Sequence, residues 1–209
     1  MRGMALLGAG VATVLQLQST TPAAAADPKG SPRAEEALAL CNRSDDVAAA
    51  EKAALLDRSL ALAEEAIAAD GADAKAHFAA FCALGHRTEL DGKGVRSLLA
   101  LRRLRQEIDR TLELAPDYSD ALMGKASLLL DAPRILGGDA AEAERLLRRA
   151  LATDPDYGSA RMRLAQALAD RGARDEARTE AKRALATAEH KHDDALAAEA
   201  RALLTKLGD

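Results

Sequence analysis

Two copies of the tripeptide Pro-Asp-Tyr constrain the fold of this chain more than any other feature. Pro116-Asp117-Tyr118 and Pro155-Asp156-Tyr157 stand 39 residues apart, and each lies between stretches whose apolar residues recur at helical spacing. Proline ends a helix, and the aspartate after it favours the start of the next one. The chain is therefore predicted to consist of repeated helix pairs. Aromatic residues make up only 2% of it and Trp is absent, so these helices must pack through small and aliphatic side chains.

The segment 142–185 shows the repeat most clearly. Its small and apolar residues fall at the positions of a tetratricopeptide repeat (TPR) of about 34 residues, namely Leu164, Ala165, Leu168, Gly172, Ala177, Ala181, Ala184 and Leu185. In this pattern the segment resembles the TPR family. The resemblance implies an all-α fold, a right-handed TPR-like solenoid of about four antiparallel helix pairs with a C-terminal capping helix.

The repeat pattern divides residues 33–209, the predicted TPR-like domain, into units. The repeats are expected at about 33–71, 72–116, 117–155 and 156–190, with the capping helix at 193–207. Residues 27–32 contain two prolines and a glycine and are predicted to be a flexible N-terminus.

Three local features qualify this pattern. Ser44, Asp45 and Asp46 are good N-cap types for a helix expected at 47–69. A polar connection with three glycines is predicted at 85–94, and an insertion is predicted at 131–139.

The first 26 residues have the order of a secretory signal peptide. A positive head with Arg2 precedes an uncharged, mostly apolar run at 5–17, and a small-residue segment follows at 19–26. Cleavage is predicted after Ala26. A retained membrane anchor is the alternative, but the apolar run is shorter than the roughly 20 residues that span a bilayer. We expect a periplasmic or secreted protein with no stable membrane anchor after cleavage.

The charge balance argues against a nucleic-acid partner. The formal net charge is −4, and the arginine-rich runs at 102–105 and 148–149 are mixed with acidic residues at helical spacing. A nucleic-acid-binding protein needs a basic face instead. These runs are typical of solvated helix faces.

Cys41 and Cys82 are the two cysteines of the chain. An exported protein with an even cysteine count favours a disulfide, and each cysteine comes about nine residues into the first helix of a repeat. Neighbouring repeats would then place them side by side. The alternative is a pair of small buried residues that never meet.

A stack of helix pairs has a concave surface lined mainly by the first helix of each pair. By position, the predicted partner-binding residues are Lys75, Phe78, His86, Asp120, Met123, Ser127, Arg163, Gln166 and Asp170, with Cys82 and Asp131 beside them. Both charge signs together with two large apolar side chains suit an extended peptide or a small amphipathic ligand. The alternative is that most of these residues only solvate the groove.

The insertion at 131–139 carries two apolar residues, Ile135 and Leu136, within an otherwise polar connection. They could plug the edge of the solenoid or offer a partner an anchor. Asp139 and Glu142 are expected to form a capping box for the next helix. The Leu-Gly-Gly-Asp sequence at 136–139 resembles an insertion in the periplasmic T component of TRAP-type transport systems. That resemblance implies a solute-binding accessory of a transporter.

We find no catalytic or metal-binding signature in the sequence. His190 and His192 stand beside Asp193 and Asp194, but no zinc-like cysteine spacing accompanies them, and either aspartate can serve as an N-cap. No cofactor, metal or enzymatic activity is expected. The predicted function is an exported scaffold that binds a protein or peptide on its concave surface. The alternatives are a periplasmic solute-binding accessory and, less favoured, an enzyme that uses the groove to dock its substrate.

Overall fold

The computed structural model describes residues 27–92 and 95–208, and every regular element within those residues is helical. The predicted signal peptide, 1–26, lies outside the described residues. The α-helices are α1 (Pro32–Arg43), α2 (Ala49–Ala69), α3 (Ala74–Asp91), α4 (Val95–Leu114), α5 (Ser119–Asp131), α6 (Ala140–Thr153), α7 (Gly158–Asp170), α8 (Arg174–Lys191) and α9 (Asp194–Leu207). Two short 3-10 turns, Ser44–Asp46 and Arg134–Leu136, follow α1 and α5.

Consecutive helices pack as antiparallel pairs, which confirms the predicted fold class. The pairs are α1–α2, α3–α4, α5–α6 and α7–α8, and α9 packs mainly against α8. None of the described helices combines the length and apolar composition needed to cross a membrane.

Small side chains let these helices approach closely. Ala37, Ala63 and Ala79 are fully buried in the core that joins the first helices of the chain. The Ser59 hydroxyl of α2, also fully buried, donates to the Ala37 carbonyl oxygen of α1 at 2.7 Å. A buried hydroxyl therefore gains a partner without a larger side chain forcing the helices apart.

The predicted Cys41–Cys82 disulfide is confirmed. It links α1 to α3 with a Cα–Cα distance of 6.3 Å, so neighbouring first helices do place the two cysteines side by side. Closing a loop of this length stabilises a fold by about 4 kcal/mol in the chain-entropy model.

The predicted connection at 85–94 is wrong over its first seven residues, because α3 continues through Gly85 to Asp91. Arg87 forms ion pairs with Asp57 of α2 at 3.5 Å and with Asp91 one turn later at 3.8 Å. The helix ends at Gly92, whose φ of 72° is readily adopted by glycine. Contacts with α2 thus hold in helical form a segment whose composition predicts a loop.

The predicted N-cap for the second helix is also wrong. Ser44 has helical backbone angles and is fully buried after α1, whereas α2 starts at Ala49 without a side-chain cap. An N-cap needs an extended backbone, so Ser44 cannot serve. Asp45 instead accepts from Lys52 Nζ at 2.9 Å.

The insertion at 131–139 is a tightly bonded turn. Gly137 adopts a left-handed conformation with φ of 81°, and the Gly138 N–H donates to the Pro133 carbonyl oxygen at 3.0 Å. Asp139 caps α6 by accepting from the N–H groups of Ala141 and Glu142 at 3.0 Å. The other half of the predicted capping box does not form, because the Asp139 N–H donates to the Leu129 carbonyl oxygen at 3.1 Å.

The last helix, α9, covers the apolar face of the α7–α8 pair. Leu203, Leu204 and Leu207 are buried in the continuous core that runs from α5 to α9. Asp193 caps α9, since its side chain accepts from the Leu196 N–H at 3.0 Å. One aspartate of the 190–194 cluster therefore has a structural role.

Candidate functional site

A cavity of about 1050 Å³ lies where the second and third helix pairs meet. Residues of α3, α4, α5 and the 131–139 insertion line it, and we call it the α3–α5 cavity. Within the described residues, α3 and α5 make almost no close backbone contact, whereas α1 and α3 pack closely. The cavity therefore lies where the neighbouring first helices α3 and α5 do not pack closely against each other.

The walls of the α3–α5 cavity are mainly apolar. Their side chains come from all four segments: Phe78, Phe81, Leu101, Leu104, Met123, Leu128 and Leu136. The Phe78 and Phe81 rings have centroids 6.1 Å apart, and Phe78 meets Tyr118 edge to face at 4.9 Å. Such a surface suits an apolar group, and aromatic rings contribute large contact areas.

Gly124 allows α5 to support this aromatic wall. A Cβ at that position would come within 2.7 Å of Phe81 Cε1. The Phe81 ring therefore rests directly on the α5 backbone, and a larger residue at 124 would displace it into the cavity.

The insertion closes one side of the α3–α5 cavity. Leu136 is half-buried and lines it, whereas Ile135 is 94% exposed. The Arg105 guanidinium of α4 donates to the Leu136 carbonyl oxygen and fixes the turn. The two apolar residues of the insertion thus point to different surroundings, one to the cavity and one to solvent.

Three carboxylates and one imidazole complete the lining: Glu89, Asp120, Asp131 and His86. Asp131 is paired with Arg163 of α7, and His86 Nδ1 lies 3.2 Å from Asp45 Oδ1. Within the described part of the chain, no Lys or Arg forms an ion pair with Asp120 or Glu89.

The Asp120 carboxyl is partly buried, and burial raises its pKa. The Tyr157 hydroxyl beside it and the Lys75 ammonium oppose that rise, while the charges of Asp27 and Asp154 reinforce it. Desolvation and the neighbouring negative charges outweigh Tyr157 and Lys75, because both disfavour the ionised carboxylate. The surroundings of Asp120 therefore favour its protonated form more than water does.

The Tyr118 hydroxyl lies beside Asp120 in a side chain that is only 3% exposed. Its neighbouring acceptor is Asp120, although the two groups fall outside strict hydrogen-bond geometry. Burial, followed by the charge of Asp120, raises the pKa of this phenol, so it stays protonated and retains a hydrogen to donate.

The structure brings together most of the predicted partner-binding residues. Those that line the α3–α5 cavity are Phe78, Cys82, His86, Asp120, Met123, Ser127 and Asp131. Arg163 lies at its edge through the contact with Asp131, and Gln166 Nε2 donates to Glu199 of α9 at 2.6 Å. Asp170 is exposed outside the cavity.

Lys75 lies apart from these residues, being only 9% exposed. Its Nζ is 3.0 Å from the Glu35 carboxylate of α1. Its position places it in the contact between two first helices rather than on an open surface.

The sequence interpretation missed Phe81, Leu104, Leu136, Glu89 and the two tyrosines around Asp120. Glu89 was hidden because a loop was predicted where α3 continues. The tyrosines carried a signal, since Tyr118 and Tyr157 both end the recurring Pro-Asp-Tyr tripeptide. Their position before α5 and α7 brings both hydroxyls to Asp120.

The side chains of Cys41, Cys82 and His86 place their potential ligand atoms within 4.8 Å of one another. The two sulfurs are bonded to each other. In this state they are not the thiolates that zinc or copper requires.

Comparison with known proteins supports the architecture. Residues 134–207 match the tetratricopeptide repeat family model. No curated protein sequence matches the chain.

Several solved structures share the fold. TTC0263, described as a thermophilic TPR protein of Thermus thermophilus, is 20% identical with a TM-score of 0.62, over 80% of each chain. A MamA structure is 19% identical with a TM-score of 0.53, covering 76% of this chain and 80% of MamA. A double mutant of MamA from RS-1 is 16% identical with a TM-score of 0.51, covering 86% and 96%. The described helices thus have the fold of TPR structures, and residues 134–207 also carry its sequence pattern.

Proposed function

We infer that this chain is a non-enzymatic scaffold that binds a segment of another protein on its concave surface, with the α3–α5 cavity as the anchor for apolar side chains. The observation that carries this function is the cavity itself, which opens between two first helices and is lined mainly by apolar side chains. Partner-binding pockets combine such walls with a few polar groups that fix orientation.

The rest of the surface supports binding of a protein segment rather than catalysis. Outside the cavity, the concave-face residues of α7 are engaged in contacts between repeats, as Arg163 and Gln166 show. An extended peptide can run along such a surface while inserting one or two side chains into the cavity.

A matched pair of substitutions tests this function. Ser127 is half-buried in the cavity, where its hydroxyl lies 3.5 Å from the Met123 sulfur, while Ser159 is exposed on α7. Ser127→Leu should fill the cavity and weaken partner binding by about tenfold or more, whereas Ser159→Leu adds the same bulk elsewhere and should not.

The measurement is affinity purification from the native envelope with quantitative mass spectrometry, followed by titration of the recovered partner. A partner retained equally by both variants would show that the cavity does not hold it.

The size of the cavity favours a second candidate, a solute-binding accessory of a transport system. About 1050 Å³ is at the upper end of small-molecule sites. Native mass spectrometry of protein purified from its source distinguishes the two, because a tightly held solute would add a fixed non-peptide mass that Ser127→Leu removes.

We further propose that the protein is exported, with cleavage after Ala26. The order of charged, apolar and small residues in 1–26 supports export, and the Cys41–Cys82 disulfide is typical of an oxidising compartment. N-terminal sequencing of the protein from its host should begin at Asp27. Recovery of the uncleaved chain from the cytosol with free thiols would contradict export.

A further inference from the structure

Asp120 lines the largely apolar α3–α5 cavity with a partly buried carboxylate. Among the described residues, no Lys or Arg forms an ion pair with it. Removing a carboxylate from water costs free energy unless a cation or several hydrogen bonds compensate. The Tyr157 hydroxyl supplies only part of that compensation.

The surrounding charges make ionisation of Asp120 still less favourable. Asp27 and Asp154 both act on Asp120 as like charges. The nearby cation is Lys75, and its Nζ is bound to Glu35 at 3.0 Å. The charges that act most strongly on Asp120 are therefore mainly negative, and the Lys75 ammonium among them is already paired with Glu35.

The remaining polar groups of the lining add no available positive charge. Glu89 is a second carboxylate without an ion pair in the described residues, and Asp131 shares its charge with Arg163. His86 faces Asp45 at 3.2 Å. An anionic occupant would meet like charge at Glu89 and Asp131.

The geometry points to a basic, apolar peptide segment as the occupant of the α3–α5 cavity, with its apolar side chain against Phe78 and Phe81 and a neighbouring lysine or arginine at Asp120. This inference rests on the proposed scaffold function and adds the chemistry of the partner. The peptide's cation would pair with the Asp120 carboxylate, which forms no ion pair with a Lys or Arg among the described residues.

The test compares three fluorescein-labelled peptides of about nine residues, which span roughly 30 Å when extended. One alternates Leu with Lys, one Leu with Glu, and one Ser with Lys. Fluorescence anisotropy with the wild-type protein should show the Leu–Lys peptide binding at least about tenfold more tightly than either other peptide. The Ser–Lys peptide separates general charge attraction from use of the apolar wall.

Two variants test whether the lysine of the bound peptide lies at Asp120. Asp120→Asn should weaken Leu–Lys binding about tenfold and leave Leu–Glu binding unchanged. Asp194→Asn removes the same charge from an exposed position on α9 and should alter neither. A melting curve confirms that each variant is folded, and the wild-type peptide comparison remains decisive if Asp120→Asn is not.

The outcomes distinguish the basic-segment inference from the proposed scaffold function. Equal binding of the Leu–Lys and Leu–Glu peptides would overturn the basic-segment inference while leaving a peptide scaffold intact. Equal binding of the Leu–Lys and Ser–Lys peptides would show that the apolar wall is not used. If no peptide binds up to about 1 mM, the peptide-anchor function and the inference both fail.

Discussion

At the scale of single residues, Asp120 and Gly138 show two different ways in which the choice of side chain affects stability. Asp120 places a charge where burial and neighbouring acids disfavour it. Gly138 has no side chain because a Cβ there would overlap the Ala132 carbonyl oxygen. The first residue costs stability when it is ionised, whereas the second is required for the backbone path itself.

Asp120→Asn should make the protein more stable at neutral pH. Because the folded state raises the pKa of Asp120, folding favours the protonated form. The contribution of Asp120 to stability is then fully present below its unfolded pKa of about 3.9 and is lost as pH rises through the raised folded value. Chemical denaturation should show the variant ahead of wild type near pH 7, with the difference vanishing below about pH 4. A difference independent of pH would contradict this explanation.

Gly138→Ala should destabilise the fold by about 1–3 kcal/mol, because the overlapping neighbours are backbone atoms that have no alternative rotamer. Gly71→Ala is the control, since its nearest contact, the Ile67 carbonyl oxygen, would be 3.9 Å away. Urea denaturation of both variants measures the difference. Equal stabilities would show that the turn after α5 relaxes more easily than its hydrogen bonds indicate.

At the scale of elements, the first two repeats are joined more firmly than the second and third. The disulfide and close backbone packing hold α1 against α3, while α3 and α5 diverge around the α3–α5 cavity. The Arg105 contact to Leu136 is one of the few links from the second pair to the insertion. The cavity is therefore bounded on one side by α3, which the disulfide links to α1, and on another by the insertion, which Arg105 contacts.

The double variant Cys41→Ser with Cys82→Ser should lose about 2–4 kcal/mol of stability, because the unfolded chain regains the entropy that the cross-link removes. Reducing the wild-type protein with a dithiol should produce a similar loss and leave the double variant unaffected. Denaturant titration under both conditions measures this. A loss below about 0.5 kcal/mol would mean that helix packing alone fixes α1 on α3.

At the scale of the whole molecule, the apolar core is divided. One continuous cluster joins α5 to α9, two smaller clusters hold α1, α2 and α3 together, and a third packs α3 and α4 against the start of α5. Repeat proteins derive stability from each unit and its neighbours. The junction at the α3–α5 cavity therefore lies between two larger groups of contacts and is bridged by the small cluster around Phe78 and Tyr118.

A fragment spanning residues 117–209 should fold by itself, because it contains nearly all of the α5–α9 core. We expect a helical circular dichroism spectrum and a cooperative melt. The control is a fragment beginning at residue 140, which lacks α5 and exposes the face of α6 that α5 covers. A non-cooperative melt of the longer fragment would show that the second helix pair is needed for the core.

The repeated helices and the partner of each cysteine could be predicted from the sequence, because helical periodicity and repeat register are properties of local spacing. Cys41 and Cys82 occupy equivalent positions in neighbouring repeats, and regular stacking was enough to bring them together. Several residues that line the cavity were predicted for the same reason, since Phe78, Met123 and Ser127 lie on first helices.

Only the tertiary structure decided three features: the cavity, the extra turns of α3 and the surroundings that disfavour ionisation of Asp120. Each depends on the angle at which one helix pair meets the next, and that angle is the sum of many contacts between residues distant in sequence. Composition could not tell Leu136 from Ile135, yet one lines the cavity and the other is exposed. The sequence by itself determined which helices form and in what order, and packing determined where they separate to leave a site.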